Sequence, residues 1–145
     1  MSREADPYNL KRFLEAQERD YKVALWELKS GRKRSHWIWY VFPQIDGLGR
    51  SVMADRYAIK SLDEAKAYLD HPVLGARLNE CVDAMLALEG RSARDILGMP
   101  DDMKVRSCAT LFSAVAPEGS TFDKLLEKFY SGQKDTQTLR LLGLA

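Results

Sequence analysis

Ser35-His-Trp-Ile-Trp-Tyr-Val-Phe-Pro-Gln44 is the stretch on which the reading of this chain turns. All of Trp37 to Phe42 is aromatic or β-branched, which favours a strand. A strand needs a ladder partner, however, and no other segment of the sequence alternates with period two. By elimination the stretch is a short helix stopped by Pro43, since the residue before a proline is pushed out of the helical region. The chain is then all-α, a single compact domain over residues 1–145 with about six to eight helices.

The flanking sequence supports this with caps and apolar stripes. Asp6-Pro7 reads as the opening of a first helix, and Leu10, Phe13, Leu14, Tyr21, Ala24, Leu25 and Leu28 recur at helical spacing before Gly31. Ser61 and Glu64 have capping-box spacing for a helix through Leu69. His71-Pro72 interrupts it, and a new stripe runs from Leu74 to Leu88 ahead of Gly90. Ser92 caps a short turn ending at Gly98. Asp101 and Asp102 open a helix carrying Val105, Cys108, Leu111, Phe112 and Val115. Beyond the loop Pro117–Thr121, Phe122, Leu125, Leu126 and Phe129 stripe another helix up to Gly132, and Asp135 caps a last one with Leu139 and Leu142.

Composition narrows the function classes. The 145 residues are 46% apolar and 30% charged, ordinary values for a globular domain. A net charge of +1 is too balanced for a nucleic-acid coat or a polybasic membrane anchor. No apolar run approaches the ~18 residues of a membrane span. Cys81 and Cys108 fall in apolar registers without metal or redox spacing and read as reduced core thiols. With a polar N-terminus, Met1 to Asp6, lacking a signal core, these features point to a cytoplasmic protein.

Several polar residues stand where an apolar register does not explain them. Gln17 follows Leu10 by seven residues and precedes Tyr21 by four, in the middle of the first apolar stripe, where an amide needs partners. Lys104 shares the face of Cys108, Leu111 and Val115, and a first-turn lysine opposes the helix dipole. Ser107 and Thr110 flank that face. His36 lies among the aromatics, while Lys29-Ser-Gly-Arg-Lys-Arg34 brings cations close to them. The candidate ligand-binding residues are Gln17, Lys33, His36, Trp37, Trp39, Gln44 and Lys104. Each also has a purely structural reading: buried hydrogen bonds, a solvated basic loop, or core aromatics. No residue is assigned a catalytic role; Asp46, Asp101 and Asp135 are carboxylates of the neighbourhood only. We expect no metal site, because neither histidine has a ligand at usable spacing, and no cofactor. Gly47-Leu-Gly49 lacks the third glycine and the strand of a dinucleotide fingerprint.

Taken in order, Phe13, Gln17, Tyr21, Gly31-Arg-Lys33, Ser35-His-Trp-Ile-Trp39, Phe42-Pro-Gln44, Gly47-Leu-Gly-Arg-Ser51, Tyr57-Ala-Ile59, His71-Pro-Val-Leu-Gly75, Asp101-Asp-Met-Lys104, Thr110-Leu-Phe112 and Gly132 to Asp135 form a long motif string. It resembles, over nearly the whole chain, a bacterial family of domains of unknown function whose members are often labelled "calpastatin". The resemblance implies a compact helical domain and no activity. The label itself names a long disordered inhibitor, whereas this composition is globular. A fainter likeness is to the all-helical NADAR group, which cleaves N-glycosidic bonds in ADP-ribose-like or riboflavin-pathway compounds. It rests on size, helicity and the aromatic–polar mixture, and carries no catalytic residue across.

The expected function is binding of a small anionic planar molecule such as a nucleotide derivative. Trp37 and Trp39 would stack on the ring, Lys33, Arg34 or Lys104 would meet the charge, and Gln17, His36 and Gln44 would read polar edges. The alternatives are an N-glycosidase-like enzyme on ADP-ribose-type compounds and a non-enzymatic module presenting an aromatic patch to a protein partner. The sequence names no such partner.

Overall fold

The pivotal stretch is helical. In the computed structural model, which describes residues 5–145, one turn, α2 (Ile38–Val41), follows Trp37 and ends at Phe42 ahead of Pro43. The polar N-terminus expected above falls largely on residues 1–4, outside the described residues. Nine helices are present among the described residues: α1 (Lys11–Lys29), α2, α3 (Val52–Arg56), α4 (Leu62–Asp70), α5 (Leu74–Leu86), α6 (Ala93–Leu97), α7 (Asp101–Ser113), α8 (Thr121–Tyr130) and α9 (Thr136–Leu141). The only strand-like pairing among them is an isolated parallel bridge, Ile45 with Ile59.

Local chemistry explains most boundaries. Ser51, Ser61, Ser92, Ser120 and Asp135 each accept a hydrogen bond from the backbone N–H three residues on. Ser92 and Asp95 complete a reciprocal capping box. The Ser61–Glu64 pair does not: Glu64 accepts from the Lys60 N–H instead, and its other oxygen takes the Arg12 guanidinium at 2.8 Å. Asp6 does not begin α1 directly. A turn intervenes, and the Asp6 carboxylate holds the helix start from outside by accepting from the N–H groups of Leu10 and Lys11. At the other break, the Nδ1 of His71 accepts from the N–H groups of Val73 and Leu74, so this histidine starts α5. α3 was not anticipated, because no residue of that helix is buried and so no stripe marks it.

One core joins the helices. α5 packs on α1, α4 and α8, while α7 packs on α4, α6, α8 and α9. Phe13, Tyr68, Phe112 and Phe122 form a chain of ring contacts through the centre, with centroids 5.0–5.6 Å apart. α4 and α5 approach closely at Gly75, where an added Cβ would lie 2.0 Å from the Leu69 carbonyl oxygen.

α2 is tied to α1 by two buried polar residues. The Gln17 amide donates to the Tyr40 carbonyl at 2.6 Å and to the Tyr68 hydroxyl at 3.0 Å. The Glu27 carboxylate accepts from the N–H groups of Arg34 and Ser35, the Ser35 hydroxyl and the Trp37 indole. Burial would raise the Glu27 pKa. These four hydrogen bonds to the ionised form outweigh it and hold the carboxyl below its usual value. Glu27 thereby fixes the loop that leads into α2 and the rotation of Trp37.

Candidate functional site

That rotation decides which aromatic side chain is available. Of the six residues from Trp37 to Phe42, five are buried, and Trp39 alone is only half-buried. Its indole forms one wall of a cavity of about 400 Å³ between α2, the Gly49–Ser51 loop, α7 and the start of α9. Gln44 lines the cavity beside it, and Lys104 and Ser107 line it from α7. The Lys104 ammonium stands 5.2 Å from the centre of the Trp39 ring, a cation–π distance.

The loop of this wall explains its glycines. Gly47 has a φ of +103°, which favours glycine. Gly49 passes so close to α3 that a Cβ there would meet the Ala54 Cβ at 2.6 Å. The glycines thus serve a tight turn and a close approach, which places Arg50 and Ser51 at the cavity. The parallel bridge holds the same loop from below: Ile59 donates to the Gln44 carbonyl, and Asp46 donates to the Ile59 carbonyl, both at 2.8 Å.

The seven candidates divide. Trp39, Gln44 and Lys104 converge on the cavity. Gln17 is buried and its amide is engaged inside the core, so it reads no ligand edge. Trp37 is 1% exposed with its indole N–H bonded to Glu27, so it is core and not a stacking platform. Lys33 lies outside the cavity wall, its ammonium 2.7 Å from Asp101 and 5.2 Å from the centre of the Trp37 ring. His36 is exposed and also lies outside the wall, because the turn that buries Trp37 leaves its predecessor facing solvent. Arg34 is exposed as well.

Carboxylates near the site are all engaged. Asp135, which lines the cavity, caps α9 through the Thr138 N–H and hydroxyl. Asp101 sits between two lysines, with Lys104 at 3.4 Å from its other oxygen. Asp46 pairs with Lys60 at 3.5 Å. Among the described residues no group of three or more His, Cys, Asp or Glu side chains converges as a metal site. The buried Cys81 thiol is pushed up to about 12 by burial, and burial also raises Cys108 well above its ordinary value, so neither is a thiolate nucleophile.

A larger groove of about 760 Å³ runs along α5 beside Lys29. Its floor is Ala76, Ala84, Ala87 and Leu88. Its acidic groups are already bonded, Glu80 to the Tyr21 hydroxyl and Asp83 to Thr121. It has no aromatic wall and none of the candidate residues, so size alone recommends it. The smaller cavity has an aromatic face, an amide and a cation on one surface.

Residues 7–142 match the family described as "Protein of unknown function (DUF1810)". The chain belongs to this family. Its fold matches that of the conserved hypothetical protein Rv1873 from Mycobacterium tuberculosis, known from a crystal structure. The two are 48% identical, with a TM-score of 0.94, and the match covers 97% of this chain and 100% of that one. Among curated proteins, none matches the chain. A family of unknown function is what the motif string suggests, and the comparisons give no support to the calpastatin label or to the NADAR likeness. No helix among the described residues is long and apolar enough to cross a membrane.

Proposed function

We propose that the cavity walled by Trp39 binds a small anionic planar molecule, with a nucleotide derivative as the expected class. The observation that carries this reading is the convergence of Trp39 and Gln44, from the Ser35–Gln44 stretch, and Lys104, from α7, on one space of about 400 Å³. That volume suits a small ligand. Trp39 offers the planar contact, Lys104 the counter-charge and Gln44 an edge-reading amide. Arg50 adds a second cation at the rim of charge, and Asp135 is committed to its cap. Two buried, unpaired cysteines fit a reducing compartment such as the cytoplasm.

Nothing in the site favours N-glycoside hydrolysis, since each nearby carboxylate is held by a cap or by lysine. One observation keeps the interaction module as a second reading. Trp26 on α1 is 63% exposed, beside Val23 at 47%, and so presents an aromatic surface outside the Trp37–Phe42 stretch.

A melting-point screen of the full chain against nucleoside mono- and diphosphates and related cofactors tests the proposal, because a ligand of the native state raises the midpoint by mass action. A nucleotide hit should lose at least about tenfold in affinity in Lys104→Met, the scale of one charge-assisted hydrogen bond. No hit in the library, or hits unaffected by Lys104→Met, would refute it.

A further inference from the structure

Lys33 and Asp101 both lie outside the cavity wall, yet Lys33 pairs with Asp101, and Asp101 pairs in turn with Lys104, the cation that stands against the Trp39 ring. The Asp101 carboxylate takes the Lys33 ammonium at 2.7 Å on one oxygen and the Lys104 ammonium at 3.4 Å on the other. The two lysines are unequal. The Lys33 side chain is 8% exposed and that of Lys104 is 28%. The Lys33 backbone N–H is also fixed, donating to the Ile96 carbonyl at 2.6 Å. Each ammonium lies over its own indole, Lys33 on Trp37 and Lys104 on Trp39, both at 5.2 Å.

The charge balance follows. Two ammonium groups share one carboxylate, so one positive charge is left over. A buried lysine cannot give up its partner cheaply, because an uncompensated charge would remain in a low-dielectric setting. Lys33 therefore keeps Asp101, and the surplus falls on Lys104, the more exposed and more distant partner. Helix α7 does not account for a lysine there, since a cation in the first turn opposes the helix dipole, whereas Asp101 in the same turn is matched to it.

We infer that Lys33 is a positioning residue for the cavity: by neutralising Asp101 from behind, it leaves Lys104 free to meet an anion. The inference deepens the proposed function and rests on it where ligand affinity is concerned, but the coupling from Lys33 to Lys104 can be read without a ligand. Without Lys33, Asp101 would belong to Lys104 alone, and the cavity would present a closed ion pair.

The test uses the full chain, Lys33→Met and the double variant Lys33→Met/Asp101→Asn, with folding checked by circular dichroism. The rate at which an amine-acylating reagent labels Lys104, read by mass spectrometry, should fall about threefold in Lys33→Met, the scale of one partly exposed ion pair. In the double variant it should return to or exceed the wild-type rate. Adenosine 5′-monophosphate, titrated against the same proteins, should bind about tenfold more weakly to Lys33→Met and regain affinity in the double variant. An unchanged or faster Lys104 rate in Lys33→Met overturns the inference. So does a double variant labelled more slowly than wild type, which decides the matter even if Lys33→Met alone fails to fold. The expected labelling pattern with no nucleotide binding to wild type supports the coupling and counts against the ligand class instead.

Discussion

Replacing Gln17 with leucine should cost stability, and the structure sets the scale. The amide donates to the Tyr40 carbonyl at 2.6 Å and to the Tyr68 hydroxyl at 3.0 Å, both on buried residues. Tyr40 sits near the end of a one-turn helix, and three residues on is Pro43, which has no N–H to offer. Its carbonyl would be orphaned, and the Tyr68 hydroxyl would lose its donor. Each orphaned buried group costs about 1–3 kcal/mol, or about 2–6 together. The leucine side chain returns about 1–2 kcal/mol through apolar burial, leaving a net loss of about 2.5 kcal/mol at the middle of these ranges. For a domain of this size that lowers the melting temperature by about 7–10 °C. Thermal and urea unfolding of the two proteins would measure it, with an unchanged urea slope showing that the unfolded state is the same. A drop under about 2 °C would refute the reasoning, since it would mean the Tyr40 carbonyl has another partner.

Further outcomes follow from single contacts. Gly75→Ala should destabilise by about 1–3 kcal/mol or more, because its Cβ would meet a carbonyl oxygen 2.0 Å away that is part of the α4 backbone; a denaturation midpoint equal to wild type would contradict the close approach. Glu27 has a depressed carboxyl pKa, so its contribution is complete above the unfolded value of 4.5 and is lost as pH falls through the lower folded value. The acid side of the stability–pH curve should therefore flatten in Glu27→Gln, and an unchanged acid slope would count against that hydrogen-bond set. Cys81 and Cys108, raised by burial, should resist a disulfide-exchange reagent at pH 8 until the protein unfolds; rapid reaction of either in the native state would contradict their burial.

Much of this fold is legible in the sequence, because caps and stripes are local signals. Ser61, Ser92 and Asp135 announce their helices, and the elimination argument for Trp37–Phe42 holds because the described residues include no second strand to pair with it. The α3 helix is silent because it buries nothing. Gln17 betrays itself by standing in an apolar stripe. Glu27, three residues after Ala24 and one before Leu28, also falls on the buried face of α1, but an alanine stripe is too weak a marker to expose it. The site was half visible. Trp37 and Trp39 are indistinguishable by composition, and only Glu27, from another helix, decides which of them turns inward. Lys33 belongs to a basic run that resembles any solvated loop. Its carboxylate partner, Asp101, is remote in sequence, and only the packing of the loop against α6 and α7 brings the two together.

The most direct test of the ligand cavity is an NMR titration of the full chain with adenosine 5′-monophosphate, following the three tryptophan indole N–H signals and the backbone amides. The cavity reading requires the Trp39 indole to shift, together with the amides of Gln44, Gly49 and Lys104, while the indoles of Trp37 and Trp26 stay in place. Shifts centred on Trp26 and the α5 groove, or no shifts at millimolar nucleotide, would contradict it.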